Sequence, residues 1–218
     1  FIVRNCYVHD GWNNGKYGIY LDPVINGIIE NNIVENNSTG IYLEYSDNNI
    51  ISNNLVKNNS NYGIYLNYSN NNTIENNLAE NNFSGIHLEY SDNNIISNNV
   101  TGNNLANGIR LDYSDNNLVE NCTVENNSNY GIYLYNSGNN NVTGNTCKNN
   151  DFGICLESSS NNTISNNACL SNSDYGIYLS YSSNNLVENN TVENNWSGIG
   201  LDWYSDNNII SNNIMRNN

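Results

Sequence analysis

The chain has 218 residues, of which 60 are Asn, and its formal charge is −15 at pH 7 because 21 acidic side chains face only 6 Lys and Arg. Binding to phosphates requires clustered Lys and Arg, so this balance argues against a nucleic-acid partner and suits cations or neutral glycans. No apolar run approaches the ~20 residues that cross a membrane, so we expect no membrane span.

The earliest elements are a partial turn that includes Val3, Cys6 and Val8, followed by a repeat. The word Gly-Ile-x-Leu occurs nine times, with its glycine at positions 18, 40, 63, 85, 108, 131, 153, 176 and 198, always 22 or 23 residues apart. Asn-rich sequence is typical of disorder, but here Ile, Leu and Val recur in fixed phase with Asn. A fixed period of this size predicts a solenoid whose repeats bury their apolar faces against one another.

The rung that begins at position 63 illustrates how the side chains face. Ile64 and Leu66 are two residues apart, which places both on one face of a strand and Tyr65 on the other. Further apolar positions follow at Ile74 and Ala79, so each rung contains three short strands, which we call first, second and third. The sequence predicts an all-β, single-stranded parallel solenoid of nine to ten rungs.

A fixed spacing also marks the corners between the strands. Asn occurs eight residues after every second-strand core position. We expect its amide to bond the rungs above and below and its backbone to take the left-handed conformation of a sharp corner. These residues are Asn37, Asn59, Asn82, Asn104, Asn127, Asn150, Asn172, Asn195 and Asn218. The glycine before each first strand indicates positive φ or close backbone approach.

The five cysteines include no Cys-x-x-Cys pair. Cys147 and Cys169 occupy one repeat position in successive rungs, and Cys6 and Cys122 share another. The favoured interpretation is small buried core residues. A disulfide between Cys147 and Cys169 is the alternative.

Rungs such as GIYLEYSDNNIISNNLVKNN resemble the parallel β-helix repeats of the NosD-like, carbohydrate-binding and sugar-hydrolysis type. The resemblance covers essentially the whole chain and implies a right-handed coil. It leaves the function open among polysaccharide lyases, glycosidases, surface adhesins and accessory proteins. The NosD likeness also implies copper, but the soft ligands are few, with one Met and two His.

The outward columns of the second and third strands separate their acidic residues, whereas the first-strand face stacks them. Asp92 and Asp115 are stacked in the corner after the first strand. The candidate site combines two adjacent rungs with a flanking tyrosine on each side. The predicted ligand-binding residues are Tyr65, His87, Glu89, Arg110, Asp112 and Tyr133.

Carboxylates on adjacent rungs would lie about 5 Å apart, close enough to raise one pKa for acid–base work or to share Ca²⁺. Glu89, Asp112, His87 and Arg110 are therefore the catalytic candidates, with no role assigned, and Asp92 and Asp115 the candidate Ca²⁺ ligands. No other cofactor is expected. The tyrosines could stack on sugar rings.

A structural explanation exists for the same residues. A tyrosine column on an exposed strand face also satisfies strand propensity and packing between rungs. His87 and Arg110 could simply pair with Glu89 and Asp112 as a surface ion network.

The sequence as a whole predicts one β-helix domain over residues 1–218, as part of a longer protein at the cell surface or outside the cell. The predicted role is structural or glycan-binding, with a polysaccharide or cell-envelope glycan as partner. The alternatives are a polysaccharide lyase or glycoside hydrolase and a NosD-like metal-accessory protein. No cap is visible at either end, so the chain either continues into further rungs or self-associates end to end or laterally.

Overall fold

The computed structural model describes residues 1–11 and 15–218, and the regular elements in this part of the chain are all β-strands. They form three parallel sheets of ten, ten and nine strands, in which each strand pairs with its counterparts in the rungs before and after it. The chain therefore winds as a right-handed parallel β-helix with three strands per rung. The predicted fold is confirmed.

The sheets are named after the strand that each rung contributes. The first-strand sheet contains Tyr17–Leu21, Thr39–Glu44, Tyr62–Asn67, Ser84–Glu89, Ile109–Asp112, Tyr130–Tyr135, Phe152–Glu157, Tyr175–Ser180 and Ser197–Asp202. The second-strand sheet contains Ile2–Arg4, Ile28–Glu30, Ile50–Ser52, Thr73–Glu75, Ile95–Ser97, Leu118–Glu120, Asn141–Thr143, Thr163–Ser165, Leu186–Glu188 and Ile209–Ser211. The third-strand sheet contains Tyr7–His9, Ile33–Glu35, Leu55–Lys57, Leu78–Glu80, Val100–Gly102, Thr123–Glu125, Thr146–Lys148, Ala168–Leu170, Thr191–Glu193 and Ile214–Arg216.

The inward side chains form one apolar core along the axis of the rod. In one rung Ile64, Leu66, Ile74 and Ala79 are completely buried, and each lies in register with its counterparts in adjacent rungs. Burying an Ile or Leu side chain contributes about 1.5–3 kcal/mol. This stacking allows no residue to be inserted within a strand without turning its apolar side chains outward.

The repeated glycine is required by close packing between rungs. A Cβ added to Gly131 would lie 2.5 Å from the carbonyl oxygen of Gly153. The glycines of the Gly-Ile-x-Leu words do not adopt positive φ. Of the two causes expected for this glycine, close backbone approach is therefore the one that operates.

Two consecutive asparagines at this corner have different roles. Asn58 has the left-handed φ of 55°, whereas the following residue, Asn59, is buried and has no positive φ. The expectation that the buried asparagine itself takes the left-handed conformation is wrong. Its exposed neighbour supplies the turn, and this leaves the buried amide free to bond along the rod.

Each buried asparagine connects three rungs. The Oδ1 atom of Asn77 accepts from the backbone N–H of Asn54 at 2.9 Å and from the Asn54 Nδ2 at 3.0 Å. Its own Nδ2 donates to the carbonyl of Ile51 at 2.9 Å and to the Oδ1 of Asn99 at 3.1 Å. We call this column, which lies between the second and third strands, the Asn77 ladder.

One thiol interrupts the Asn77 ladder. Cys122 occupies the ladder position after Asn99, and its Sγ lies 3.3 Å from the carbonyl of Glu120 and 3.7 Å from that of Ile96. Burial raises the pKa of Cys122 to about 11, so the group is a neutral thiol. An asparagine at this position would accept hydrogen bonds from Asn99 through its amide oxygen. The thiol that stands there instead is a weak acceptor.

All five cysteines are free thiols. Cys147 and Cys169 are completely buried and paired in register on the third strand. The contact with Cys169, together with burial, raises the pKa of Cys147 well above its usual value. The favoured interpretation, a small buried core residue, is confirmed for this pair. It is wrong for Cys6, which is exposed because the strands on either side of it are the end strands of their sheets.

Completing the Asn77 ladder should stabilise the fold. We expect Cys122→Asn to raise the free energy of unfolding by about 1–2 kcal/mol, since an amide can both accept from Asn99 and donate to the Ile96 carbonyl. Urea denaturation measures this change. The control Cys122→Ala supplies no amide and should bring no gain, and equal or lower stability of Cys122→Asn would contradict the prediction.

Removing a ladder amide should have the opposite effect. We expect Asn77→Ala to cost about 3 kcal/mol or more, because buried donors on Asn54 and a buried acceptor on Ile51 lose their partners. The matched control is Asn76→Gly, which changes the exposed left-handed residue beside it and should stay within about 0.5 kcal/mol of wild type. Similar losses for both variants, measured by thermal unfolding, would refute a special role for the amide.

Candidate ligand-binding face

The first-strand sheet brings the predicted site residues onto one face. His87 lies in register with Arg110, and Glu89 with Asp112. Tyr65 precedes His87 in the same column, and Tyr133 follows Arg110. Because the outward residues of a strand alternate with the buried ones, the Gly-Ile-x-Leu spacing places these six side chains side by side.

Three of these residues form a closely bonded group, which we call the Asp112 cluster: His87, Arg110 and Asp112. The Nε of Arg110 lies 2.9 and 2.8 Å from the two carboxylate oxygens of Asp112, and its Nη2 lies 2.8 Å from Oδ2. The Nε2 of His87 lies 3.1 Å from the same Oδ2. The side chains of His87 and Asp112 are 5% and 8% exposed, and that of Arg110 is 34% exposed.

The Asp112 carboxyl is held in its ionised form. Burial works against ionisation, but hydrogen bonds from His87 and Arg110 outweigh it and lower the pKa of Asp112. Burial likewise opposes the charge of Arg110, yet the bonds to Asp112 raise its pKa. A stacked like charge would raise the pKa of Asp112. The pKa is lowered instead, because the nearest groups are cationic or donate hydrogen bonds.

His87 leaves one ring nitrogen without a partner. Its Nδ1 is buried and forms no hydrogen bond, while Nε2 is engaged with Asp112. The ring packs against Tyr62 at 4.7 Å and Tyr65 at 5.2 Å between centroids. His87 is therefore fixed in orientation by both an ionic and an aromatic neighbour.

Glu89 is bonded to a tyrosine and takes no part in the Asp112 cluster. The hydroxyl of Tyr65 donates to Glu89, and the same arrangement recurs where Tyr133 donates to Glu157 at 2.6 Å. Burial and this hydrogen bond raise the pKa of both Tyr65 and Tyr133. The phenols are neutral donors at neutral pH. We expected His87 and Arg110 to pair with both Glu89 and Asp112. They pair with Asp112 only.

The ring faces in this column are already covered. Tyr65 stacks on Tyr42 with 4.8 Å between centroids and an angle of 12°, and its other side packs on His87. The guanidinium of Arg110 lies 5.3 Å from the centre of the Tyr133 ring. A ligand would therefore meet edges and hydroxyls of these tyrosines, and not the open faces that the sequence suggested.

A groove borders the Asp112 cluster, with Tyr62 and Tyr65 as the link between them. Its volume is about 510 Å³. It lies across three rungs, where the corner before the first strand meets the strand itself. The lining residues are Gly15, Tyr17, Ser38, Thr39, Tyr42, Ser60, Asn61, Tyr62 and Tyr65.

Asp92 and Asp115 already serve a structural purpose. The backbone N–H of Asp115 donates to the Oδ1 of Asp92 at 2.7 Å, and that of Gly138 donates to the Oδ1 of Asp115 at 2.6 Å. Over residues 1–11 and 15–218, no three His, Cys, Asp or Glu side chains are grouped so as to hold a metal ion. Ca²⁺ takes six to eight oxygens, so this pair alone does not fit it well, and the calcium site stays a prediction.

A second tyrosine column was missed by the sequence analysis. The rings of Tyr45, Tyr68, Tyr90 and Tyr113 stack with 5.3, 4.9 and 5.0 Å between successive centroids. All four are exposed and have left-handed φ values of 48–49°. The sequence signal is the Tyr-Ser pair that recurs after these first strands. This column lies at a corner, where the alternation of a strand assigns no facing.

Comparison with known families agrees with the observed winding. Residues 84–218 match the family described as right handed beta helix region, and residues 2–110 match the family described as periplasmic copper-binding protein NosD. The chain belongs to the right-handed parallel β-helix repeat family, as its asparagine-rich rungs predicted. Curated protein sequences give no significant match.

Solved structures show the same fold in longer chains. The periplasmic alginate epimerase AlgG is 25% identical, with a TM-score of 0.82 over 87% of this chain and 50% of that chain. The A-module of the Azotobacter vinelandii mannuronan C-5 epimerase AlgE6 is 19% identical, with a TM-score of 0.78 over 97% of this chain and 64% of that chain. The Dettilon tailspike protein gp208 is 16% identical, with a TM-score of 0.74 over 100% of this chain and 52% of that chain.

The chain thus spans between half and two thirds of the length of these structures. Among the described residues, the structure contains no helix with the length and apolar character needed to cross a membrane.

The Asp112 cluster should make stability depend on acid pH. The lowered folded-state pKa of Asp112 means that its carboxylate stabilises the fold above about pH 4, the unfolded value, and that this contribution is lost as pH falls through the folded value. We expect Asp112→Asn to cost about 3 kcal/mol at neutral pH. The difference in unfolding free energy between Asp112→Asn and wild type should become smaller below about pH 4.

Urea unfolding at a series of pH values measures that difference. Glu75→Gln is the control, because Glu75 lies between Ser52 and Ser97 on neighbouring strands and has no ion pair among the described contacts. A difference for Asp112→Asn that stays constant into acid would show that the carboxylate is not held in its charged form.

Proposed function

We propose that this chain is an extracytoplasmic β-helix module that binds a polysaccharide along its first-strand face. The epimerase descriptions of AlgG and AlgE6 support a carbohydrate-related role. The periplasmic descriptions of NosD and AlgG support a location outside the cytoplasm. Fold alone would not carry the proposal, since one fold hosts many functions.

The observation that carries it is the groove beside the Asp112 cluster. A glycan needs an elongated surface that offers aromatic edges together with hydroxyl and amide groups. The groove supplies Tyr17, Tyr62, Ser60 and Asn61 in these roles, on a scaffold whose backbone is fixed by the core and ladders. Tyr65 belongs both to the groove and to the predicted set of ligand-binding residues.

The predicted site residues would then divide into two kinds. Tyr65 and the partly exposed Arg110 can touch a bound chain. His87 and Asp112 are buried and would act by holding Tyr65 and Arg110 in place. Tyr133 does the same for Arg110 through its ring. In this arrangement Arg110 is the accessible member of the Asp112 cluster, and the other two members hold it in position.

An enzyme is the second candidate. One observation favours it, namely that His87, whose Nδ1 has no partner, packs its ring against Tyr65 on a face that also carries Glu89. A polysaccharide lyase or glycoside hydrolase would need a free acid or base there. Both oxygens of Asp112 are engaged with cationic or donating groups, which supports binding over catalysis.

Binding can be tested by affinity electrophoresis in gels that contain soluble polysaccharides. We expect Tyr62→Ala to weaken retardation by at least about tenfold in Kd, since an aromatic contact contributes about 1 kcal/mol or more and Tyr62 also supports His87. Tyr175→Ala is the matched control, because Tyr175 holds the same rung position outside the groove. Equal effects of both variants, or no retardation of wild type by any polymer, would refute the proposal.

The enzyme candidate has its own measurement. Release of reducing ends or of unsaturated products from the same polymers, abolished in Glu89→Gln, would establish catalysis. Binding without product release is the expected result.

A further inference from the structure

We infer that the polysaccharide held in the groove is uncharged, and that this chain does not recognise a polyuronate such as alginate. The inference rests on the proposed function and narrows it to a class of ligand. It departs from the substrate named in the descriptions of the similar epimerases. Three observations carry it: the engagement of the cations, the chemistry of the groove and the charge of the surrounding face.

The cationic side chains are engaged with carboxylates of this chain. Lys57 lies 3.2 Å from Glu35, and Lys148 lies 3.0 Å from Glu125. The other ion pairs that involve Arg or Lys are Arg4 with Glu30, Arg216 with Glu193, and Arg110 with Asp112. Among the described residues, Lys16 alone of the six Lys and Arg has no ion pair. Arg and Lys are the usual partners of a carboxylate, and five of the six are occupied. The exposed Lys16, between the lining residues Gly15 and Tyr17, is then a single cation facing a polymer that carries a carboxylate on every sugar.

Two cations stand beside the groove: Lys16, which lies between the lining residues Gly15 and Tyr17, and Arg110 of the Asp112 cluster, whose guanidinium is engaged. The Nε and Nη2 of Arg110 both bond Asp112, and these bonds use the fork geometry that would otherwise hold a ligand carboxylate. A polyuronate could reach this fork only by displacing Asp112, which would leave a buried carboxylate without its partner.

The groove itself is lined by neutral groups. Its side chains are hydroxyls, one carboxamide and four phenols. Burial raises the pKa of Tyr42 to about 12, and it also raises the pKa of Tyr62 and Tyr65. These three phenols are therefore protonated at neutral pH, and those of Tyr42 and Tyr62 can donate to a ligand, whereas Tyr65 already donates to Glu89. Sugar hydroxyls both donate and accept, and they match such a surface without any ionic contact.

The surrounding face repels polyanions. Glu44 and Glu89 lie on the same sheet as the groove, and the whole chain carries a charge of −15. A polyuronate laid along the rod would place its own carboxylates within about 10 Å of these groups, which is within the range of unscreened repulsion at moderate salt. An uncharged chain pays no such electrostatic penalty.

The test compares two classes of polymer on the same protein. The neutral probes are hydroxyethyl cellulose, mixed-linkage β-glucan, arabinoxylan and galactomannan, and the anionic probes are alginate and polygalacturonate. Affinity electrophoresis is run in EDTA, to prevent bridging by divalent cations, at low and high NaCl. We expect retardation by at least one neutral polymer, with a Kd that changes by less than about twofold between the two salt concentrations.

Asn61→Lys sharpens the comparison, because Asn61 is an exposed groove residue and the new cation would have no carboxylate partner in the lining. We expect this variant to gain alginate binding by about tenfold or more over wild type. Alginate or polygalacturonate binding by wild type that is tighter than its neutral binding and weakened by salt would overturn the inference and leave the proposed function standing. Failure to bind either class would overturn both.

Discussion

The structure depends on buried amides that bond along the rod. Asn77 shows the pattern: it satisfies a backbone donor and a backbone acceptor in the rung before it, and its amide donates to an amide in the rung after it. Such groups would be costly to bury singly, because an unpaired donor or acceptor loses its bonds to water. Stacking solves this problem only when every rung repeats the same phase. The 22- or 23-residue period is therefore a hydrogen-bonding requirement as much as a matter of apolar packing.

The same requirement decides where the chain is free to vary. The ladders and the core fix the strands and the corner between the second and third strands. The corner before the first strand changes in length: two residues separate Asn37 from Gly40, and three separate Asn59 from Gly63. Ser38, Ser60 and Asn61 of this corner line the groove. Tolerance of length change and the candidate binding surface thus coincide, as is usual for loops carried on a rigid scaffold.

Periodicity made much of this fold predictable from the sequence. The alternation of Ile64, Tyr65 and Leu66 assigns inward and outward faces, and the fixed period assigns neighbours, so the column of His87 and Arg110 followed directly. The partners within that column did not follow. Whether Asp112 or Glu89 would engage Arg110 depends on side-chain reach and on the competing donor Tyr65, which no spacing rule contains. The groove also escaped prediction, because it arises from corner shape.

Similarity of fold does not determine which ligand chemistry the outward residues of this chain offer. Lys57 and Lys148 follow a glutamate on the adjacent third strand, an alternation that relieves repulsion between stacked like charges. An acidic solenoid that uses its few cations to stabilise its own stack keeps almost none for a ligand. The side chains that line the groove are hydroxyls, one amide and phenols. If the face binds a ligand as proposed, the electrostatic needs of the repeat would limit which ligands it can bind, whatever the enzymes of similar fold bind.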